Sequence, residues 1–270
     1  MDNPHETSLL IKALWSAIIV LGISAIAERV STRVAGILAG APLSAVLFFF
    51  FVGRDMGIPF IVASIPHAIA AFSGTVVFVL AYYWASARFT TYSVIAGTTA
   101  ATLAFLAVAL AQMAIPFTVF TATALTMIVI CLALWILRHI EFIKVSRPVR
   151  FTARLLFLRG GMAATMITIV IALAESLGSR WTGLLVGFPT ALLPTLLIIH
   201  TTYGAPSTHA IIRNFPLGMG SIIFYILTVR YSFPLVGVYL GTAAALAASF
   251  TYLTIIMVAG RLWSARQQQT

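Results

Sequence analysis

From Tyr92 to Leu137 the chain runs 46 residues without a single Asp, Glu, Lys, Arg or His. As one straight helix this run would be about 69 Å long at 1.5 Å per residue, more than twice the roughly 30 Å hydrocarbon thickness of a bilayer. It must turn, and Ile115-Pro116 is the predicted place, because proline disfavours helix in the residue before it. Similar runs recur from end to end. With 61% hydrophobic and 8% charged residues, the chain has too little polar surface for a water-soluble globule. In lipid every backbone polar group needs an internal partner, so membrane-spanning helices follow. The predicted spans are 8–27, 35–53, 62–86, 92–112, 116–137, 156–175, 182–201, 210–229 and 235–259, nine in all.

One phrase is written twice. AERVSTRVAGILAGAP (27–42) returns as AESLGSRWTGLLVGFP (174–189), with seven identical positions where ordinary residue frequencies supply about one or two. At the same offset of 147, Lys12 aligns with Arg159, and Gly57-Ile58-Pro59 with Gly204-Ala205-Pro206. With small gaps, SGTVVF (73–78) meets MGSIIF (219–224) and AGTTAA (96–101) meets LGTAAA (240–245). Each copy takes in four helices and a fifth joins them, so the copies enter the membrane from opposite sides. The expected fold class is an all-α polytopic membrane protein of nine transmembrane helices, two inverted four-helix repeats joined by a linking helix. Its expected parts are 1–114, a linking helix and basic loop over 115–154, and 155–270.

Lysine and arginine counts set the expected orientation. With the loop 138–154 cytoplasmic, eleven cations fall on the inner side, three (Arg54, Arg180 and Arg230) on the outer, and Lys12 and Arg159 lie inside span starts. The expectation is an inner (plasma) membrane protein with its N-terminus outside and its C-terminus cytoplasmic. MDNPHETS lacks the cation of a cleaved signal peptide, so the first span is expected to stay. The net charge of +10 is accounted for by topology, and nucleic acid is not an expected partner.

Gly183-Leu184-Leu185-Val186-Gly187-Phe188-Pro189-Thr190, at the start of a span and followed by an apolar run to His200, resembles the GlpM-type small inner-membrane proteins. These are about one repeat long. The first copy departs from the pattern, with Ala41-Pro42-Leu43 where the second has Phe188-Pro189-Thr190. The resemblance implies a four-helix membrane unit and carries over no substrate or catalytic residue.

Pro42 and Pro189 stand several residues into spans two and seven. Each removes a backbone donor and pushes away a carbonyl, and the freed groups need a partner in lipid. Gly/Pro interruptions at matching positions of two inverted halves point to a central binding site. The expected substrate path therefore comprises Gly36, Gly40, Pro42, Gly183, Gly187, Pro189 and His67, the most deeply placed histidine. The same glycines suit close helix packing. Glu28 and Glu175 end spans one and six, sixteen residues after Lys12 and Arg159, about 24 Å along a helix. Inversion would pair Glu28 with Arg159 at one face and Lys12 with Glu175 at the other, as gates or proton-coupling groups; interfacial anchoring is the alternative. Arg33 and Arg180 read as orienting charges. His200 and His209, with Met56, match no usual metal-ligand spacing. Tyr82, Tyr83, Trp84 and Trp263 read as interfacial aromatics, Phe48 to Phe51 as lipid-facing or packing, and Cys131 as a packing residue.

Nucleotide, zinc-hydrolase and serine-hydrolase motifs are lacking, and six acidic residues form no cluster for magnesium. The chain is expected to be no enzyme and to need no cofactor or metal. The expected function is a secondary transporter with alternating access, proton-coupled through Glu28 or Glu175 or else downhill. Lys12, Arg159 and Arg213 modestly favour an anionic or zwitterionic solute. The alternative is a membrane subunit or scaffold of a polysaccharide or lipid export pathway. Membrane lipid and a small solute are the expected partners, with self-association left open.

Overall fold

A computed structural model of the chain describes residues 40–140 and 178–267, with single positions at 37, 161, 165, 168, 169 and 173. Among the described residues the fold is all-α. Its named helices are α1 (Leu43–Asp55), α2 (Ile58–Arg88), α3 (Ser93–Met113), α4 (Val119–Leu137), α5 (Leu192–Tyr203) and α6 (Ala205–Gln267), and residues 179–186 form a further helical segment before α5. Four of them, α2, α3, α4 and α6, are long and apolar enough to cross a membrane.

The long apolar run turns at 114–118, as Pro116 predicts. α4 restarts there with a reciprocal cap, since Thr118 Oγ1 accepts from the Thr121 amide and the Thr121 side chain accepts from the Thr118 amide. The last two predicted spans divide elsewhere than 230–234. Helix continues through Arg230 and Pro234, and the break falls at Gly237 (φ 78°, ψ 176°). Beyond it the chain doubles back, because Tyr252 Oη donates to the Leu217 carbonyl at 3.1 Å and Ser232 Oγ to the Gly241 carbonyl at 3.2 Å.

α2 is the central helix. Its most apolar stretch is 72% buried, against 22% for α3 and for α4. Gln112 of α3 donates to the Ala70 carbonyl (3.0 Å) and Ser73 Oγ (2.8 Å), while Thr126 of α4 donates to the Ile69 carbonyl (2.7 Å). Polar tethers of this kind between apolar helices contribute about 0.6–2 kcal/mol each. The outward faces of α3 and α4 present Leu103, Leu110, Phe120, Ile128 and Trp135. Cys131 lies on this exposed surface and is no packing residue. Phe48, Phe49 and Phe51, by contrast, are buried.

α1 and α5 run to opposite ends of the bundle. Where α1 finishes, a Cβ on Gly53 would lie 3.2 Å from Phe233; where α5 finishes, His200 meets Tyr82 near the end of α2. Each then passes through the same turn. Gly57 (φ 87°, ψ 162°) precedes Ile58-Pro59, and Gly204 (φ 83°, ψ 174°) precedes Ala205-Pro206. Only glycine adopts this backbone without strain, and proline in the first turn of a helix forfeits no needed donor. The described cations separate likewise, with Arg88, Arg138 and Arg213 at the α5 end and Arg54 and Arg230 at the other, where Arg180, one turn before Gly183 and near His67, also falls.

A Cβ on Gly218 would lie 2.0 Å from the Ile37 carbonyl oxygen, whereas one on Gly161 would meet nothing within 4 Å. Gly218→Ala is expected to cost about 1–3 kcal/mol by overpacking. Thermal unfolding in detergent should show a lowered Tm for that variant and an equal or slightly raised one for Gly161→Ala, where alanine favours helix.

Candidate functional site: two broken helices face to face

The predicted spans two and seven are both interrupted. Helix at Ile37 gives way to a turn over 40–42 before α1, and the segment 179–186 gives way to a turn over 187–191 before α5. In the second break the Thr190 amide donates to the Phe188 carbonyl at 2.7 Å, a three-residue turn about Pro189. Proline at the centre fixes its own φ and withholds a donor, so the ladder cannot continue.

The two breaks meet, with Thr190 Oγ1 donating to Ser44 Oγ at 2.8 Å. Each also presses a glycine onto a neighbouring helix. A Cβ on Gly187 would lie 2.5 Å from the Ala71 Cβ of α2, and one on Gly40 would lie 2.7 Å from the Gly218 carbonyl carbon of α6. Gly183 lies as close to α2, 2.5 Å from the Ser64 carbonyl by the same measure. Close packing and interruption thus coincide in the same residues.

A carbonyl at a break has lost its helical donor and, once buried, costs about 1–3 kcal/mol if left unpaired. Thr75 of α2 donates its hydroxyl to the Gly187 carbonyl. Ser221 of α6 lies 3.4 Å from the Gly40 carbonyl while donating at 2.7 Å to Gly218 of its own helix. Thr75 and Ser221 were not among the residues singled out from the sequence. The signal was present, since they follow Gly74 and Gly220 in the matched phrases SGTVVF and MGSIIF.

Between the breaks is a cavity of about 40 Å³ bounded by Ala41, Pro42, Ser44, Thr75, Gly187 and Pro189, among others. A water needs about 10–15 Å³ on this measure, so roughly two to four fit. Hydroxyls and backbone carbonyls supply its polar character, and no charged side chain lines it among the described residues. Arg213 is elsewhere, donating to the Ile140 carbonyl at the end of α4.

His67 is 5% exposed and lies beside Gly183, with the Phe117 ring edge-on at 5.9 Å. Neither ring nitrogen has a hydrogen-bond partner among the described residues. It sits one turn of α2 below Ala71, outside the cavity lining. Gly36, Lys12, Glu28, Arg159 and Glu175 lie outside the described residues, as do Arg33 and the Trp263 side chain.

At the α5 end a second polar cluster forms. His200 Nδ1 is 2.9 Å from Tyr82 Oη and its Nε2 3.1 Å from Ser93 Oγ, while His209 Nε2 is 2.8 Å from Ser86 Oγ. Tyr82 is therefore no interfacial aromatic: it is fully buried, whereas Trp84 is 65% exposed. Met56 ends α1 at the opposite end of the bundle and does not join the histidines.

Together the fold and the breaks define a helical bundle built about a pair of discontinuous helices. Comparison with family models, with curated proteins and with solved structures gives no match.

Removing the Thr75 hydroxyl orphans the Gly187 carbonyl. Thr75→Val is expected to lower stability by about 1–3 kcal/mol and Thr75→Ser to restore most of it. Ser221→Ala should cost less, because Ser221 bonds chiefly within its own helix; denaturation midpoints in detergent compare the three.

Proposed function

We propose that this chain is a secondary membrane carrier in which two inverted four-helix halves, joined by α4, alternate the exposure of a site between their broken helices. The observation that carries the reading is the meeting of the Gly40–Pro42 and Gly187–Pro189 breaks over a small polar cavity. Discontinuous helices at matching positions of inverted halves are how many carriers build a site near the bilayer midplane. Matching contacts support the inversion. Gly40 against Gly218 answers Gly187 against Ala71, and Ser221 near the Gly40 carbonyl answers Thr75 on the Gly187 carbonyl.

The described arginine side chains divide evenly between the two ends, and the basic loop 138–154, which begins at the α5 end, supports an orientation with that end cytoplasmic. The cavity favours a small solute that hydrogen-bonds to hydroxyls and carbonyls. Arg213, engaged by Ile140, lends no support to an anion at the centre, so any negative charge on the solute falls to Lys12 and Arg159. Coupling to protons through Glu28 and Glu175 remains part of the reading. On this reading the chain catalyses no covalent chemistry.

The test is flux in proteoliposomes, with neutral, zwitterionic and anionic solutes offered under an imposed pH gradient. Ser44→Cys/Thr190→Cys, built on Cys131→Ser, should form a disulfide across the 2.8 Å oxygen contact. Oxidation should abolish flux of the accepted solute and reduction should restore it. Glu28→Gln and Glu175→Gln should each remove the dependence on the gradient. Flux unaffected by the closed disulfide would contradict a central site, and no flux of any solute would favour the scaffold of an export pathway.

A further inference from the structure

The α5 end holds titratable side chains in one hydrogen-bonded group that the broken helices do not account for. On α2, Thr75, Tyr82 and Ser86 are spaced by seven and four residues, which puts them on one face. Thr75 borders the central cavity, Tyr82 holds His200, and Ser86 holds His209. His200 and His209 flank the Gly204 turn. His200, Tyr82 and Ser86 are all buried, and His209 is half-buried. This face of α2 therefore leads from the cavity to the end of the bundle.

Both ring nitrogens of His200 face hydroxyls, Tyr82 Oη and Ser93 Oγ. A hydroxyl donates or accepts as required, so either neutral tautomer and the imidazolium can be satisfied in place. Ser86 Oγ donates to the Tyr83 carbonyl at 3.2 Å and so accepts from His209 Nε2, across whose ring Tyr83 packs at 4.8 Å. The other ionisable groups near this end are Arg88 of α2, Tyr203 of α5 and Arg213 of α6; α3 offers only Ser93, and α4 ends in Arg138 and His139, bonded to each other at 3.1 Å. No carboxylate stands among these described groups.

We propose that His200 and His209, linked to α2 through Tyr82 and Ser86, form a proton-binding site at the α5 end whose occupancy is transmitted to the central break by α5. α5 is a short rigid connection, since Leu192 in its first turn borders the cavity and His200 lies in its last turn. Charging His200 turns two neutral contacts into two donated ones, and the Gly204 turn lets the end of α5 adjust. The proposal rests on the carrier reading for its purpose, as an entry for the coupling proton distinct from Glu28 and Glu175. Its chemistry stands without that reading.

The test uses the full chain in lipid nanodiscs with 15N-labelled histidine, whose five residues are assigned by single substitutions. His200 and His209 should take up protons as the pH falls from about 8 to about 3, a range widened downward because burial disfavours an imidazolium. His67, beside Gly183 on the segment leading into the break, serves as observer. Its resonance should move with the midpoint of His200, and the movement should vanish in His200→Gln while circular dichroism stays unchanged. Tyr82→Phe, which keeps the ring and loses the hydroxyl, should shift the His200 midpoint. Histidines at positions 200 and 209 that hold one protonation state across that range would overturn the proposal. So would a His67 response that persists in His200→Gln. If proteoliposome flux is present while these histidines fail to titrate, only the relay falls; if they titrate and no solute moves, the carrier reading falls instead.

Discussion

Two backbone carbonyls, those of Gly40 and Gly187, govern the arrangement of the bundle. Each belongs to a helix stopped by proline two residues later, and each is buried where water is scarce. Interrupting a helix in an apolar interior is tolerable only when another element supplies the missing donor. α2 does so through Thr75, and α6 brings Ser221 alongside. A hydroxyl reaches a carbonyl only when the two backbones lie close, which explains the glycines. Gly187 against Ala71 and Gly40 against Gly218 admit no Cβ. The position of α2 at the centre of the described fold, the contact of the two breaks and the small cavity between them all follow from these two pairings.

Much of this was legible in the sequence because membrane helices announce themselves by length and polarity. The turn at Pro116, the Gly-x-Pro turns after α1 and α5 and the interruptions at Pro42 and Pro189 are local signals with local causes. The reversal at Gly237 was harder to find. Arg230 and Pro234 look like loop residues, yet the helix runs through both, Pro234 withholding the donor for the Arg230 carbonyl, and the break falls three residues later at Gly237. Partners across the fold were harder still. Thr75 and Ser221 are ordinary mid-span hydroxyls, usually bonded to their own helix, and only the matched phrases around them hinted at a shared task. Tyr82 next to Trp84 reads as an interfacial pair, but the helix turns about 200° between them, sending one inward and the other to the surface.

The pairings are alike in kind and unequal in closeness. Thr75 is committed to the opposite broken helix, whereas Ser221 is held mainly by Gly218 and stands off at 3.4 Å. The histidine cluster has no counterpart either, since the positions matching His200 and His209 are Gly53 and Val62. A molecule built on a repeated plan thus differs between its two ends, and on the carrier reading this allows one face to respond to protons while the other does not.

The half-helices α1 and α5 are 13 and 12 residues long, about 20 and 18 Å at 1.5 Å per residue. Each is anchored at its outer end by a glycine turn and meets its counterpart at its inner end. On the carrier reading they act as two levers of nearly equal length with pivots at the Gly57 and Gly204 turns. A rotation of about 10° at either pivot swings the inner tip by roughly 3 Å, from the helix rise alone. That displacement exceeds the length of the Ser44–Thr190 contact, 2.8 Å, so a modest tilt of one lever parts the tips while the other keeps its seat.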